Sequence, residues 1–105
     1  MLTEHTLKEA ARLLGEAAKP ARVILFGSYA RGDADAASDA DFLVIESEVR
    51  DPGAEMVRLN RVLRPLGIAA DVLVYSEEEA EKRRNWCSSA VYWALREGKV
   101  LYEAA

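Results

Sequence analysis

The sequence predicts a small α/β (α+β) domain in which a mixed β-sheet is flanked by helices. Three observations lead to this class: short apolar β segments recur along the chain, helical patterns separate them, and the length suits one core. The chain has 105 residues, of which 50% are hydrophobic and 30% charged, as in an ordinary globular protein. That length buries one core but not two, so we expect a single domain over residues 1–105.

The first predicted element is an amphipathic helix over residues 3–18. Its apolar residues recur at helical spacing, at Leu7, Ala10, Ala11 and Leu14. Thr3 or Thr6 is the expected cap, and the Lys19-Pro20 step is the expected stop. The pattern therefore predicts a helix that packs one face on the core.

Two strands and a turn are predicted next. The apolar run at residues 22–26 predicts a first strand that ends at Gly27-Ser28. The polar stretch at 29–38 predicts a short helical turn followed by a loop. Residues 41–45 are apolar on both faces, which is typical of a buried strand.

The second half of the chain continues the alternation. It predicts a turn at 51–53, a helix at about 54–65 and a strand at 68–75. A charged helix at 76–84 and a last helix at about 87–97, which ends at Gly98, should follow. The final predicted element is a strand at 99–103. The first of these helices should face inward with Met56, Leu59, Val62, Leu63 and Leu66, and outward with Arg58, Arg61 and Arg64. The order describes a small sheet with buried central strands, covered by helices.

Charge and cysteine content narrow the class of protein. The net charge is −4, whereas a surface that binds nucleic acid is usually basic, so nucleic acid is disfavoured as a main partner. No apolar run approaches the roughly 20 residues of a membrane span, and the charged N-terminus is unlike a signal peptide. A single cysteine, Cys87, cannot form an internal disulfide. We therefore expect a cytoplasmic protein in which Cys87 is a small core residue.

Four of the six aspartates lie within nine residues, at Asp33, Asp35, Asp39 and Asp41. Like charges at close range repel, by roughly 4 kcal/mol for a pair 4 Å apart near a protein surface. Asp39 and Asp41 enter a predicted strand two residues apart, so their side chains share one face about 7 Å apart. Asp33 and Asp35 are expected to be solvated loop residues.

A third carboxylate, Asp71, lies inside the apolar run IAADVLVY. Burial of an unpaired carboxylate there would be costly, so Asp71 requires a partner, although a solvent-facing position at the strand edge is the alternative. If its strand neighbours that of Asp41, the carboxylates of Asp39, Asp41 and Asp71 meet. Such oxygen ligands favour magnesium or manganese, and two ions about 3.5–4 Å apart would activate a hydroxyl and stabilise a leaving pyrophosphate.

Gly27-Ser28 supplies features suited to a phosphate. Glycine permits a close approach of the backbone, and the free N–H groups at a helix start favour an anion. The Ser28 hydroxyl adds a donor, although serine at this place is usually a helix cap. Arg31, one turn later, is placed to reach a phosphate oxygen.

The stretch FGSYARGDADAASDADFLVI, residues 26–45, resembles the DNA-polymerase-beta-type nucleotidyltransferases. It has Gly-Ser, ten residues, and then Asp-x-Asp at Asp39 and Asp41, while Asp71 matches the third family carboxylate on a later strand. The small size resembles the minimal nucleotidyltransferase (MNT) domains, and the resemblance covers nearly the whole chain. It implies the polymerase-beta-like fold, catalysis by these three aspartates with magnesium, and ATP bound at Gly27, Ser28 and Arg31.

The resemblance also implies a partner. MNT proteins are commonly antitoxins paired with a HEPN toxin, and active members transfer AMP from ATP to a tyrosine of that toxin. The expected function is thus a protein adenylyltransferase. Two alternatives stay open: a module that masks a HEPN toxin without catalysis, and a transferase acting on a small-molecule hydroxyl, which the missing acceptor domain disfavours. The sequence leaves the oligomeric state undecided.

Several other residues are assigned ordinary roles. His5, the only histidine, lies on the first helix, so we expect a mechanism without histidine. Trp86 and Trp93 are expected to be packing residues, with one of them open as a partner contact. The run Lys82-Arg83-Arg84 is expected to be a solvated face, with contact to ATP phosphates or an acidic partner as its functional alternative.

Overall fold

The computed structural model describes residues 1–18 and 21–104. The elements are α1 (Glu4–Ala17), β1 (Ala21–Phe26), α2 (Ser28–Arg31), β2 (Ala40–Glu46), α3 (Pro52–Val62), a 3-10 turn (Arg64–Leu66), β3 (Ala70–Ser76), α4 (Glu77–Arg83), α5 (Ala90–Glu97) and β4 (Lys99–Glu103). This is the predicted order of helices and strands. The expected helix stop at Lys19-Pro20 lies outside the described residues.

The four strands form one sheet in the order β3-β2-β1-β4. β1 pairs antiparallel with β2 and β4, whereas β2 and β3 are parallel and are joined by the α3 crossover. The sheet is therefore mixed, as predicted. Phe42, Leu43 and Val44 are all 0% exposed, which confirms that β2 is buried on both faces.

Each face of the sheet carries its own apolar layer. On one face, α1 and α3 pack over alternate strand residues, among them Val23, Phe42 and Val72. On the other face, α4 and α5 cover a smaller cluster that includes Ile24 and Leu43. Because side chains alternate along a strand, every second residue of β2 from Asp41 onward points toward the face that carries α4 and α5.

The helix starts explain where the predicted boundaries shift. Asp51 caps α3 by accepting a hydrogen bond from Ala54 N at 3.1 Å, and Pro52 is the first helical residue. The turn predicted at 51–53 is thus the beginning of the helix, since proline is favoured at this position. Similarly, Ser89 accepts from Val91 N and delays the start of α5 to Ala90.

Three side chains on α5 and in the segment before it are more exposed than the packing predictions expected. The segment before the cap is a turn outside the core, and there Cys87 is exposed and free. Trp86 is 52% exposed and Trp93 46% exposed. The prediction that Cys87 belongs to the core was therefore wrong, and neither tryptophan is a core residue.

The contact between α1 and β4 depends on Gly15. A Cβ atom built at this position would overlap the ring of Tyr102. We expect Gly15→Ala to lower the free energy of unfolding by about 1–2 kcal/mol, because overpacking outweighs the gain in helix propensity. Thermal unfolding measures this effect. The control is Gly53→Ala on α3, whose new Cβ would meet only Asp51 Oδ1, at 3.6 Å; equal melting temperatures for both variants would contradict the packing argument.

None of the helices in the described residues has the length and apolarity needed to cross a membrane.

Candidate active site

The chain makes a sharp turn at Gly27, where β1 ends and α2 begins. Gly27 has φ +76° and ψ −154° and is the N-terminal cap residue of α2, a backbone conformation that residues with a Cβ rarely adopt. A Cβ atom at Gly27 would also overlap Oδ2 of Asp41. Glycine is therefore required both by the backbone angle and by the close approach of this carboxylate.

Asp41 and Asp71 are directly opposed on neighbouring parallel strands. Asp41 of β2 pairs in register with Asp71 of β3, and on its other side with Phe26 of β1. Opposed residues of adjacent strands lie about 4.8 Å apart and point to the same face. The two strands are therefore neighbours, which is the condition that the sequence analysis set for a shared site, and both side chains point to the face that carries α5.

The three aspartates differ in exposure. Asp39 precedes β2 by one residue and is exposed, Asp41 is half-buried, and Asp71 is exposed near the start of β3. The expected cost of burying Asp71 inside its strand therefore does not arise, and the solvent-facing alternative is the correct one. The cost falls on Asp41 instead. Burial, then the negative charges of Asp71 and Asp39, raise the pKa of Asp41, while Arg31 opposes the shift.

Ser28 and Arg31 lie on the single turn of α2. The cap of this helix is Gly27 and not Ser28, and the Ser28 hydroxyl makes no hydrogen bond to any residue of the described part of the chain. Arg31 is exposed, and its Nε donates to Oδ2 of Asp33 at 3.2 Å. Ser28 thus presents an available donor, and Asp33 orients the Arg31 guanidinium.

Comparison with known proteins identifies the family. Residues 7–93 match the nucleotidyltransferase domain, a segment that contains the Gly27-Ser28 turn and all three aspartates. The chain belongs to the nucleotidyltransferase family. A curated relative from Methanocaldococcus jannaschii, provisionally named a protein adenylyltransferase, is 38% identical over 81 residues, which cover 77% of each chain. The enzyme class predicted from the sequence is confirmed.

Solved structures share the fold of this nucleotidyltransferase. A chain in the crystal structure of a toxin–antitoxin complex with AMP-PNP superposes with a TM-score of 0.67 at 21% identity, over 98% of this chain and 75% of that one. A chain in the complex of a tri-AMPylated HEPN toxin from Shewanella oneidensis with its MNT antitoxin gives 0.62 at 18% identity, over 98% and 74%. These likenesses confirm the predicted fold.

The carboxylate oxygens of the candidate site are of the kind that magnesium or manganese prefers. Asp41 and Asp71 are opposed in register, and burial, then the charges of Asp71 and Asp39, raise the pKa of Asp41; a divalent cation would offset the repulsion between these charges. Within residues 1–18 and 21–104, no group of three or more His, Cys, Asp or Glu side chains is arranged so that it could hold a metal ion, so the structure does not gather the three aspartates into one ligand set. Mg²⁺ usually keeps several waters and binds substrate phosphates, so one or two protein ligands per ion suffice. Asp39, Asp41 and Asp71 remain the predicted metal ligands.

Asp33 and Asp35 have local structural roles. Both are exposed. Asp33 pairs with Arg31, and Asp35 accepts hydrogen bonds from Ala37 N and Ser38 Oγ at 2.9 and 3.2 Å. They fit the prediction of solvated loop residues, with the addition that they shape the loop between α2 and β2.

Two other groups named in the sequence lie away from the aspartates. His5 is exposed on α1, a helix that covers the opposite face of the sheet. Lys82, Arg83 and Arg84 are each paired with a glutamate of α4, at 3.7, 2.9 and 3.2 Å. The pairing supports the interpretation of this run as a solvated helix face.

A cleft beside the nucleotidyltransferase site was missed by the sequence analysis. It has a volume of about 460 Å³ and is lined by Phe26, Gly27, Arg31, Ala90, Trp93 and Glu97. Glu97 received no role from the sequence, and Trp93 was assigned to packing. The spacing of residues 90, 93 and 97 on one helix face is the signal that could have grouped the α5 residues, but the opposite wall requires the tertiary structure.

Proposed function

We propose that this nucleotidyltransferase transfers AMP from ATP to a tyrosine hydroxyl of a HEPN-type partner, as the antitoxin of a toxin–antitoxin pair. The observation that carries the proposal is the pairing of Asp41 with Asp71 in register, directly beside the Gly27 turn. This arrangement places a set of acidic ligands next to a backbone that a phosphate can approach. It supports phosphoryl chemistry better than a structural role, because clustered carboxylates without a cation are unfavourable.

In the proposed mechanism the aspartates bind metal, and the residues of the Gly27 turn and α2 bind the phosphates. Asp39, Asp41 and Asp71 would hold Mg²⁺, two ions in the proposal, and the bound metal would supply neutralisation of phosphate charge and polarisation of the reacting oxygens. Gly27 and Ser28 contact the phosphates through the backbone and the Ser28 hydroxyl. Arg31 adds a cationic donor, and its ion pair with Asp33 limits the orientations that the guanidinium can adopt.

The proposed reaction is a displacement at the α-phosphorus of ATP. The acceptor oxygen forms a new P–O bond, and the bond from the α-phosphorus to the bridging oxygen of pyrophosphate breaks. Asp71, exposed at the start of β3, accepts the proton of the hydroxyl. No histidine takes part, since His5 lies on a helix of the opposite face.

Two observations support a tyrosine of a partner protein as the acceptor: the names of the relatives and the exposure of Asp39 and Asp71. The M. jannaschii relative is named for protein adenylylation, and the S. oneidensis complex contains a tri-AMPylated HEPN toxin with its MNT antitoxin. In this chain Asp39 and Asp71 are exposed, so a folded partner could present a tyrosine to them directly. The free, exposed Cys87 is compatible with a reducing cytoplasm.

The test is transfer of label from α-³²P-ATP with Mg²⁺ to a HEPN protein encoded next to this chain. We expect a partner whose mass increases by one or more AMP groups and whose ribonuclease activity stays low after the antitoxin is removed. The matched variant Asp39→Ala plus Asp41→Ala should give no labelled partner. A partner inhibited equally by the variant, without ATP and without a mass change, would contradict transfer and establish masking.

A further inference from the structure

The cleft between the Gly27 turn and α5 carries a second wall that the transfer chemistry described above does not use. One wall consists of Phe26, Gly27 and Arg31, and the other of Ala90, Trp93 and Glu97. Its volume of about 460 Å³ is within the range of small-molecule sites. Gly27 and Arg31 border both this cleft and the proposed phosphate site, so one elongated ligand could occupy both.

Trp93 offers a flat aromatic surface whose orientation is fixed. Its Nε1 donates a hydrogen bond to the Cys87 carbonyl oxygen at 2.9 Å. The ring of Tyr92 meets it edge to face, with centroids 5.0 Å apart and planes at 80°. With 46% of the residue exposed, part of the indole surface is accessible. A fixed and accessible indole is suited to stacking against a planar ring.

Glu97 gives the same wall a hydrogen-bond acceptor. It is half-buried, and its carboxylate forms no hydrogen bond or ion pair with any residue of the described ranges. An ionised carboxylate accepts but cannot donate, and it repels phosphate. A ligand in the cleft should therefore put its phosphates toward Arg31 and a donor group toward Glu97.

We propose that this cleft binds the base of the incoming nucleotide, stacked on Trp93 and donating an exocyclic amino group to Glu97. Adenine carries such an amino group, whereas uracil has a single N3–H donor between two carbonyl oxygens that a carboxylate would repel. Trp93 and Glu97 are thereby specificity-determining residues that select an amino-bearing base. The proposal rests on the proposed function, because it requires the triphosphate to lie at Gly27 and Ser28.

The stacking contact is tested by binding measurements with Mg²⁺, using ATP and inorganic tripolyphosphate as the two probes. In a Trp86→Phe background Trp93 is the remaining tryptophan. Saturation with ATP should quench the fluorescence of Trp93, whereas saturation with tripolyphosphate should not. Trp93→Ala should weaken the binding of ATP roughly tenfold and leave the affinity for tripolyphosphate unchanged. Trp93→Phe should restore most of the affinity for ATP. Trp86→Ala, at a similarly exposed tryptophan outside the cleft, should bind both probes like the wild type.

The amino contact is tested by replacing Glu97 with glutamine, which has the same shape but can also donate. We expect Glu97→Gln to lower the ratio of ATP to UTP affinity by roughly tenfold, mainly by improving UTP binding. Unchanged melting temperatures for the Trp93 and Glu97 variants exclude a folding defect.

The outcomes separate the two proposals. If ATP binds but neither quenches Trp93 nor depends on Trp93 and Glu97, the base site is wrong and the proposed function stands. If the folded wild type binds neither ATP nor tripolyphosphate, the proposed function is contradicted, and the base site with it.

Discussion

Replacing Asp41 with asparagine is expected to reduce AMP transfer by at least roughly a thousandfold, because a lost metal ligand removes several kcal/mol of transition-state stabilisation. The same substitution should leave the fold intact. Asp41 is the half-buried member of the acidic group and pairs in register with Asp71. The rate of label transfer from α-³²P-ATP to the partner protein measures the loss.

The stability of this variant is predicted from the sign of the pKa shift. Burial and the charges of Asp71 and Asp39 raise the pKa of Asp41 in the folded state, so the folded protein holds this proton more tightly than the unfolded chain. The resulting stabilisation is complete below the ordinary aspartate pKa and is lost as the pH rises through the raised value. At neutral pH the ionised carboxylate therefore opposes folding in the absence of a cation.

Asp41→Asn should accordingly be at least as stable as the wild type at about pH 7, with a smaller advantage at about pH 4. Urea unfolding at the two pH values measures the difference. Added Mg²⁺ should raise the melting temperature of the wild type and have little effect on the variant, since ligands that bind only the folded state stabilise it. A variant less stable than the wild type at neutral pH would contradict the repulsion.

The control for Asp41→Asn is Asp35→Asn. It removes one negative charge from the same acidic segment but keeps a side-chain oxygen that can accept from Ala37 N. We expect transfer by Asp35→Asn within a fewfold of the wild type. Equal losses in both variants would mean that net charge, and not ligand position, determines the rate.

Much of the fold was predictable because local patterns agree with the tertiary structure. The apolar spacing on α1 and the two-sided apolar run of β2 each correspond to an observed buried surface. The neighbouring strands of Asp41 and Asp71 were predicted as a condition for a site, and the parallel register satisfies it. What the spacing could not specify was exposure. Asp71 looks buried in an apolar run, yet it lies at the start of an edge strand.

The remaining errors share one physical cause. A cap residue decides where a helix begins, and Ser89 competes with the helical pattern that extends back to Cys87. Starting α5 at Ala90 leaves Cys87 in a turn and gives Trp93 a hydrogen bond to the Cys87 carbonyl oxygen. The cleft on α5 also depends on the packing of α5 against β1, which no local motif encodes.

Gly27→Ala is expected to lose transfer activity by roughly a hundredfold, because sub-ångström to ångström shifts of catalytic groups have effects of this size. The new Cβ would overlap Oδ2 of Asp41, so either the turn or the carboxylate must move. Alanine also has to adopt φ +76° and ψ −154°, a region restricted essentially to glycine, which costs about 1–3 kcal/mol. The variant should therefore be both less active and less stable.

Gly67→Ala separates these two effects. Gly67 also has a positive φ, +61°, but a Cβ atom there would have no neighbour within 4 Å, and the residue follows the 3-10 turn away from the aspartates. It should lose about 1–2 kcal/mol from its left-handed backbone, with φ +61° and ψ 31°, and keep near-normal transfer. If Gly27→Ala retained the activity of Gly67→Ala at matched stability, the close approach of Gly27 to Asp41 would have no catalytic importance. A larger loss of activity in Gly27→Ala, measured where both variants are folded, assigns the difference to the Gly27 turn and the Asp41 carboxylate that it approaches, since a loss of stability is common to both variants.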